Sequence, residues 1–340
     1  MSIILDAHKK AYTWLSRFFC CLSVLGHLTV TAQQAEREEI VCPTVSFDAE
    51  WLGCPNVKPK DYGVYHLRKS FVLADKPDQF VVHLSGDQRY RFYVNGQPVC
   101  FGSARGDLRN WYYETIDIAA HLQAGKNVLA VQLWNMGSGA PAAQVSFQTG
   151  FILQGNGKKE KVVNTDLSWK IIKNEGYFPE AFPPSRLGSY IVGDCDSVVF
   201  KNYPLGWEGV NFDDSQWLRP VAEARPRYFN EKRTLIPRTI PMMEEKPEPI
   251  SGIVRVENLD QRKIINEFNQ SSSMTIPAHT KATVLFDIKT LTTAYPEIFF
   301  KGGKGSEVRI TYAESLFDEN NLKGNRNQVK GKHIKGYYDV

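Results

Sequence analysis

The sequence predicts an all-β protein built around a β-sandwich or barrel. Three observations carry that prediction. Short runs alternate apolar and polar residues with a period of two, as in Arg89-Tyr-Arg-Phe-Tyr-Val94. Turn residues punctuate these runs at short intervals, most plainly at Asn95-Gly96, a pair that favours the tight two-residue hairpin. The aromatic content suits a pleated surface: seven Trp, fifteen Tyr and nineteen Phe in 340 residues. A hydrophobic share of 42% is enough to build true cores, and the length leaves room for roughly two to three domains.

The first 32 residues read as a secretory signal. Lys9, Lys10 and Arg17 form a basic lead, Phe18–Val30 is an apolar run too short for a comfortable membrane span, and Val30-Thr31-Ala32 offers a small-residue cleavage site. Secretion to the periplasm or the exterior follows from that reading. Cleavage leaves Cys42, Cys54, Cys100 and Cys195; Cys42 and Cys54 each precede a Pro in a loop-like stretch and are the expected disulfide pair, with buried thiols the alternative.

The strands then follow in order. Tyr65–Leu73 is the first, with Asp75-Lys-Pro-Asp78 as its turn, and Phe80–Leu84 is the next. The hairpin around Asn95-Gly96 comes third. Tyr112–Ile118 and Asn127–Trp134 flank a short helical turn at Ala119–Gly125, and Ala143–Leu153 reads as a further alternating strand. On Arg89–Phe92 the alternation places Tyr90 and Phe92 on one face and Arg89 and Arg91 on the other. Asp166-Leu-Ser-Trp169 and Phe212-Asp-Asp-Ser-Gln-Trp217 look like turns that each drop a Trp onto a sheet. Residues 177–203 form a long irregular excursion. Four Pro within residues 235–249 mark a semi-rigid, extended linker. Beyond it, strands are expected at Ile253–Val256, Ala282–Phe286, Ala294–Phe300 and Glu307–Tyr312, with Gly302-Gly-Lys-Gly-Ser306 as the turn between the last two.

Several chemistries are excluded or disfavoured. The net charge is +4 and no Lys/Arg block occurs, which argues against nucleic-acid binding. Gly302-Gly-Lys-Gly-Ser306 lacks the spacing of a phosphate loop and joins two expected strands rather than opening a helix. No Cys/His spacing resembles a zinc site. No cofactor is called for; a Ca²⁺ ion is compatible with a sugar-binding sandwich, but no Asp-rich loop has the spacing to hold one.

The order and spacing of these motifs closely resemble the N-terminal β-sandwich of bacterial α-L-rhamnosidases of glycoside hydrolase family 78. The resemblance rests on Ser85–Val99, Phe101–Asp107, Trp111–Ile118, Leu122–Trp134, Asp166–Trp169, Phe212–Trp217, the Pro237-Arg-Thr-Ile-Pro241 link and Gly302–Leu316, and it runs from about Phe47 to Val340. It implies a jelly-roll, galactose-binding-like sandwich over 33–234 with an insertion at about 155–220. The linker at 235–249 would then lead to a second, concanavalin-like sandwich over 250–340, cut short at its C-terminus. In that family the catalytic helical barrel lies further along, and none is legible here. The resemblance therefore implies an N-terminal accessory portion of an enzyme that hydrolyses terminal α-L-rhamnose from plant polysaccharides or glycosides. The alternative is a stand-alone carbohydrate-binding protein without hydrolase activity.

No catalytic residue is assigned. Asp107, Glu114, Asp213, Asp214, Asp287 and Glu314 are available carboxylates, but none sits in a pattern that marks an acid/base pair. A sugar site needs an aromatic platform beside planar hydrogen-bonding side chains. Arg105, Asp107, Trp111 and Asn135 supply these types and are expected to line a shallow carbohydrate site. The competing reading makes Trp111 and Trp134 part of the core and Asp107 a residue that fixes its own loop.

Overall fold

A computed structural model describes residues 45–180, 194–222, 234–334 and 338–339. The chain divides into two compact units, residues 1–240 and 241–340. The described strands of the first unit are β1 (Leu52–Gly53), β2 (Gly63–Leu73), β3 (Val81–Gly86), β4 (Arg89–Val94), β5 (Gln97–Gly102), β6 (Asn110–Asp117), β7 (Gly125–Asn135), β8 (Phe151–Gly155), β9 (Lys170–Lys173), β10 (Tyr177–Glu180), β11 (Cys195–Val198), β12 (Val221–Ala222) and β13 (Thr234–Pro237). They form a five-stranded sheet in the order β5-β4-β7-β2-β9, a six-stranded sheet in the order β12-β1-β8-β3-β6-β13, and a separate β10–β11 pair.

Period-two patterning explains the sandwich. On β4, Tyr90, Phe92 and Val94 point inward while Arg89 and Arg91 do not, as the sequence predicts. Tyr65 and Leu67 of β2, Phe92 of β4 and Leu133 of β7 meet Val82 and Leu84 of β3 and Leu153 of β8 in one buried cluster. Asn95 (φ 52°) and Gly96 (φ 83°) both take the left-handed backbone that a primed hairpin turn requires. Trp169, fully buried, closes one side of this cluster, and its indole donates to Asn164 O at 3.0 Å.

β2 departs from simple alternation because both of its faces are covered. Residues 199–218 fold over the outer face of the five-stranded sheet, placing Trp207 and Trp217 against Val128 and Ala130. His66 and Arg68, which point away from the main core, are therefore also buried. Both expected Trp-bearing turns thus reach a sheet.

Four expectations need correction. The 177–203 stretch is not irregular throughout, since Tyr177–Glu180 pairs antiparallel with Cys195–Val198. Ala143–Leu153 is not one strand: residues 143–150 form a loop, and pairing begins at Phe151. The loop survives because Asp87 and Asn135 satisfy its polar groups, as described below. Residues 235–237, read as the start of the linker, belong to β13, which pairs parallel with β6. In the second unit, no strand forms at 294–300, and only Ile310–Thr311 of the 307–312 stretch pairs.

The second unit contains β14 (Gly252–Glu257), helix α1 (Gln261–Ser271), β15 (Thr283–Asp287), β16 (Ile310–Thr311) and β17 (Tyr338–Asp339). β14 pairs with β15 and β16 with β17, both antiparallel. α1 was not expected, although its signals are present. Asp260 caps it by accepting from Lys263 N at 3.1 Å, and Ile264 and Phe268 fall one turn apart, with Phe268 packing on Phe286 of β15. Among the described residues, no helix is long and apolar enough to cross a membrane.

Candidate functional site

One end of the sandwich gathers three connections: the β3–β4 turn, the β5–β6 loop and the long β7–β8 connection. Loops collected at one end of a sandwich are the usual place for recognition. They enclose a cleft of about 20 Å³, lined by Gln88, Ser103, Arg105, Asp107, Trp111 and Gln144 among others.

Each wall is held by identifiable bonds. Ser103 Oγ donates to Gly86 O at 2.8 Å and accepts from Gly86 N at 2.9 Å, tying the β5–β6 loop to the end of β3. Asp107 Oδ1 accepts from the backbone N–H groups of Arg109 and Asn110 at 2.7 and 2.9 Å. Its Oδ2 accepts from Asn110 Nδ2 at 3.0 Å. The Asn110 side chain and these two backbone donors hold the Asp107 carboxyl below the usual range. Asp107 therefore does fix its own loop, while remaining exposed at the cleft.

The third wall is residues 143–149. Buried Asp87 accepts from Ser146 Oγ at 2.6 Å and from the N–H groups of Phe147 and Gln148 at 2.8 and 2.9 Å. Asn135 Nδ2 donates to Thr149 Oγ1 at 2.8 Å and Ser146 Oγ at 3.1 Å. Gln88 Oε1 accepts from Met136 N at 2.7 Å, and Gln144 Oε1 from Arg89 Nε at 3.3 Å.

Of the four residues expected to form a sugar site, Arg105, Asp107 and Trp111 line this one cleft. Asn135 does not: it is fully buried behind the third wall, and its role is to hold that wall. Trp111 is only 5% exposed, so it forms the floor and not an open stacking platform. Gln88, Ser103 and Gln144 were missed. Gln88 carried one signal, its place in a tight strand-to-strand turn, where it adopts φ 64°. Ser103 and Gln144 carried none, because loop residues reach a common cleft only through the folded topology. Of the expected disulfide pair, Cys54 is buried and Cys42 lies outside the described residues, as does the signal segment 1–32.

Behind the cleft lies Glu114 of β6, with its side chain 1% exposed. It accepts the Tyr90 hydroxyl, Ala104 N at 3.1 Å and Arg238 Nη1 at 3.1 Å. Burial raises its pKa, and these donors only partly oppose the rise. A roomier hollow of about 210 Å³ lies on the other side of the 143–149 loop, lined by residues 53–59, Gln148, Thr149 and Val221. Its described lining has neither an aromatic ring nor a carboxylate. Among the described residues, no group of three or more His, Cys, Asp or Glu is placed to hold a metal ion.

Among solved structures, a GH78 family rhamnosidase of Bacillus sp. GL1 is 19% identical over the match, which covers 66% of this chain and 24% of that one, with a TM-score of 0.55. An α-L-rhamnosidase from Aspergillus terreus is 16% identical, covering 62% of this chain and 24% of that one, with a TM-score of 0.43. A Pleurotus ostreatus lectin is 19% identical, covering 51% and 41%, with a TM-score of 0.33. The Bacillus match shows a shared fold, in agreement with the resemblance read from the motifs. The chain spans about a quarter of the length of that rhamnosidase. No protein-family model matches the chain, and no curated protein matches it.

Proposed function

We propose that this chain is an accessory β-portion of a GH78-type α-L-rhamnosidase and that its loop-end cleft contacts carbohydrate. The observation that carries this reading is the fold shared with the Bacillus rhamnosidase over two thirds of the chain. The cleft supports it by chemistry. A cavity of about 20 Å³ takes a single water-sized group, so a sugar would place one hydroxyl inside it. The remainder of the ring would lie across the rim between Arg105, Asp107 and Gln144.

A non-catalytic role agrees with the carboxylates. An inverting glycosidase needs two, set roughly 6.5–9.5 Å apart across the bond. Among the described lining residues of the cleft, Asp107 is the carboxylate present, and Glu114 is committed to Tyr90, Ala104 and Arg238. Catalysis in this reading belongs to a separate helical barrel, and the natural ligand is a rhamnose-bearing plant glycan. Residues 1–32 would direct secretion, which fractionation of source cells tests: a mature chain starting near Gln33 outside the cytoplasm is expected.

The deciding experiment uses the purified chain with L-rhamnose, a rhamnose-bearing polysaccharide and an aryl α-L-rhamnoside. Saturable binding without turnover is expected, and Arg105→Ala and Asp107→Ala should each weaken it. Turnover of the aryl rhamnoside would overturn the accessory role. Binding unchanged in both variants would remove the cleft as the site.

A further inference from the structure

Glu114 is where three segments distant in sequence meet. Tyr90 belongs to the sandwich core, Ala104 lines the cleft, and Arg238 directly follows β13 at the start of the Pro-rich stretch. β13 itself runs beside the cleft. Thr234 pairs with Asn110 and Leu235 with Trp111, while Thr234 N donates to Arg109 O at 2.8 Å and Arg238 N to Tyr113 O at 3.0 Å. Both ends of the cleft loop therefore rest on one segment, Ala104 through Glu114 and Arg238, and Arg109 through Thr234.

We infer that Glu114 couples the cleft loop, residues 103–109, to the docked strand β13, so that the shape of the cleft depends on residues 234–238 being in place. The physical basis is the buried carboxylate. Removing Arg238 leaves a charge 1% exposed beside a neutral phenol and an amide, and that arrangement must relax or take up a proton. Removing the carboxylate charge weakens its hold on Arg238, whose Nε also donates to Ile240 O at 3.0 Å. Coupling of this kind is reciprocal: whatever orders the loop also holds β13. Glu114 is thus a positioning residue. Its consequence for sugar affinity rests on the proposed function, whereas the coupling of loop to strand does not.

Amide hydrogen exchange on the full chain tests the coupling without ligand. In Arg238→Met and in Glu114→Gln, amides of residues 104–111 should exchange roughly tenfold faster or more, the loss expected for one charge-assisted buried bond. Amides of Val128–Leu133 in β7 should keep their wild-type rates. Unchanged loop exchange in both variants, or acceleration that extends equally through β7, would overturn the inference. A second arm measures L-rhamnose affinity, expected to fall by a similar factor in both variants. If the wild-type chain does not bind L-rhamnose, the cleft reading fails and the exchange arm alone decides the coupling. If affinity holds while loop exchange accelerates, the dependence of the cleft on β13 is refuted.

Discussion

Arg68 and Asp214 join the five-stranded sheet to the segment that covers it. Arg68, whose side chain is 1% exposed, donates through Nε to Asp214 Oδ2 at 2.8 Å. It also donates through Nη1 to the carbonyls of Trp207 and Gly209, and its guanidinium lies 5.3 and 5.9 Å from the ring centres of Phe212 and Trp217. The planar fork satisfies several carbonyls of an irregular segment at once, which a lysine could not do. Arg68→Met should cost roughly 1–3 kcal/mol, because it leaves the backbone carbonyls of Trp207 and Gly209 without their donor, while the partly exposed Asp214 carboxylate can turn to water. Urea denaturation checks this; a loss below about 1 kcal/mol would mean that residues 199–218 dock without Arg68.

Acid should loosen the same covered face through His66. Its Nε2 lies 2.8 Å from Asn174 Nδ2 and its ring packs 4.0 Å from Trp207. Burial lowers its pKa from 6.5 to about 3. Between those two values the unfolded chain binds the proton and the folded chain does not. The contribution to stability is therefore complete above pH 6.5 and lost as the pH falls toward 3. His66→Gln should flatten the decline of unfolding free energy between pH 6.5 and 4. Parallel pH profiles for the two proteins would show that His66 is not its source.

Asn135→Ala should expose the dependence of the cleft on a residue that never reaches it. The substitution removes the donor to Ser146 Oγ and Thr149 Oγ1, which keep Asp87 and Pro59 O as acceptors, and it also removes the acceptor of Gly137 N. A cost of about 1–3 kcal/mol is expected from the three hydrogen bonds lost. Limited proteolysis should then cut within residues 143–149 sooner than in the wild-type chain. An unaltered cleavage rate would show that Asp87 holds the loop unaided.

Gly102 is required by a close approach. A Cβ there would lie 2.5 Å from Glu114 Oε2 and 2.7 Å from the Tyr90 hydroxyl. Gly102→Ala should lower stability by about 1–3 kcal/mol through overpacking. Thermal unfolding measures it, and a wild-type melting temperature would mean that the Tyr90–Glu114 pair shifts freely.

The parts of the fold legible in the sequence share one property: their cause is local. Asn95-Gly96 makes its turn from its own backbone preferences, and Tyr90 and Phe92 face inward because a pleated strand alternates. The misread parts depend on distant partners. Ala143–Val145 alternate as a strand should, yet Asp87 and Asn135 take up the polar groups of the following residues and hold the stretch as a loop. Leu235–Pro237 look like linker, and only the edge of β6 makes them a strand. The candidate site divides the same way. Arg105, Asp107 and Trp111 lie within seven residues and were found together, whereas Gln88 and Gln144 arrive from other loops.

The sequence alone determined the all-β class, the order of the main strands of the first unit, the two Trp-bearing turns and the loop that carries most of the cleft. Period-two patterning and turn chemistry act over a few residues and need no knowledge of neighbours. Only the tertiary structure decided that Asn135 supports a wall instead of lining a site, that Trp111 is a floor, and that Glu114 joins Tyr90, Ala104 and Arg238. Those roles depend on which groups share a buried space. A buried polar group takes whichever partner the packed sheets bring within about 3 Å, and that distance is set by the topology of the whole sandwich.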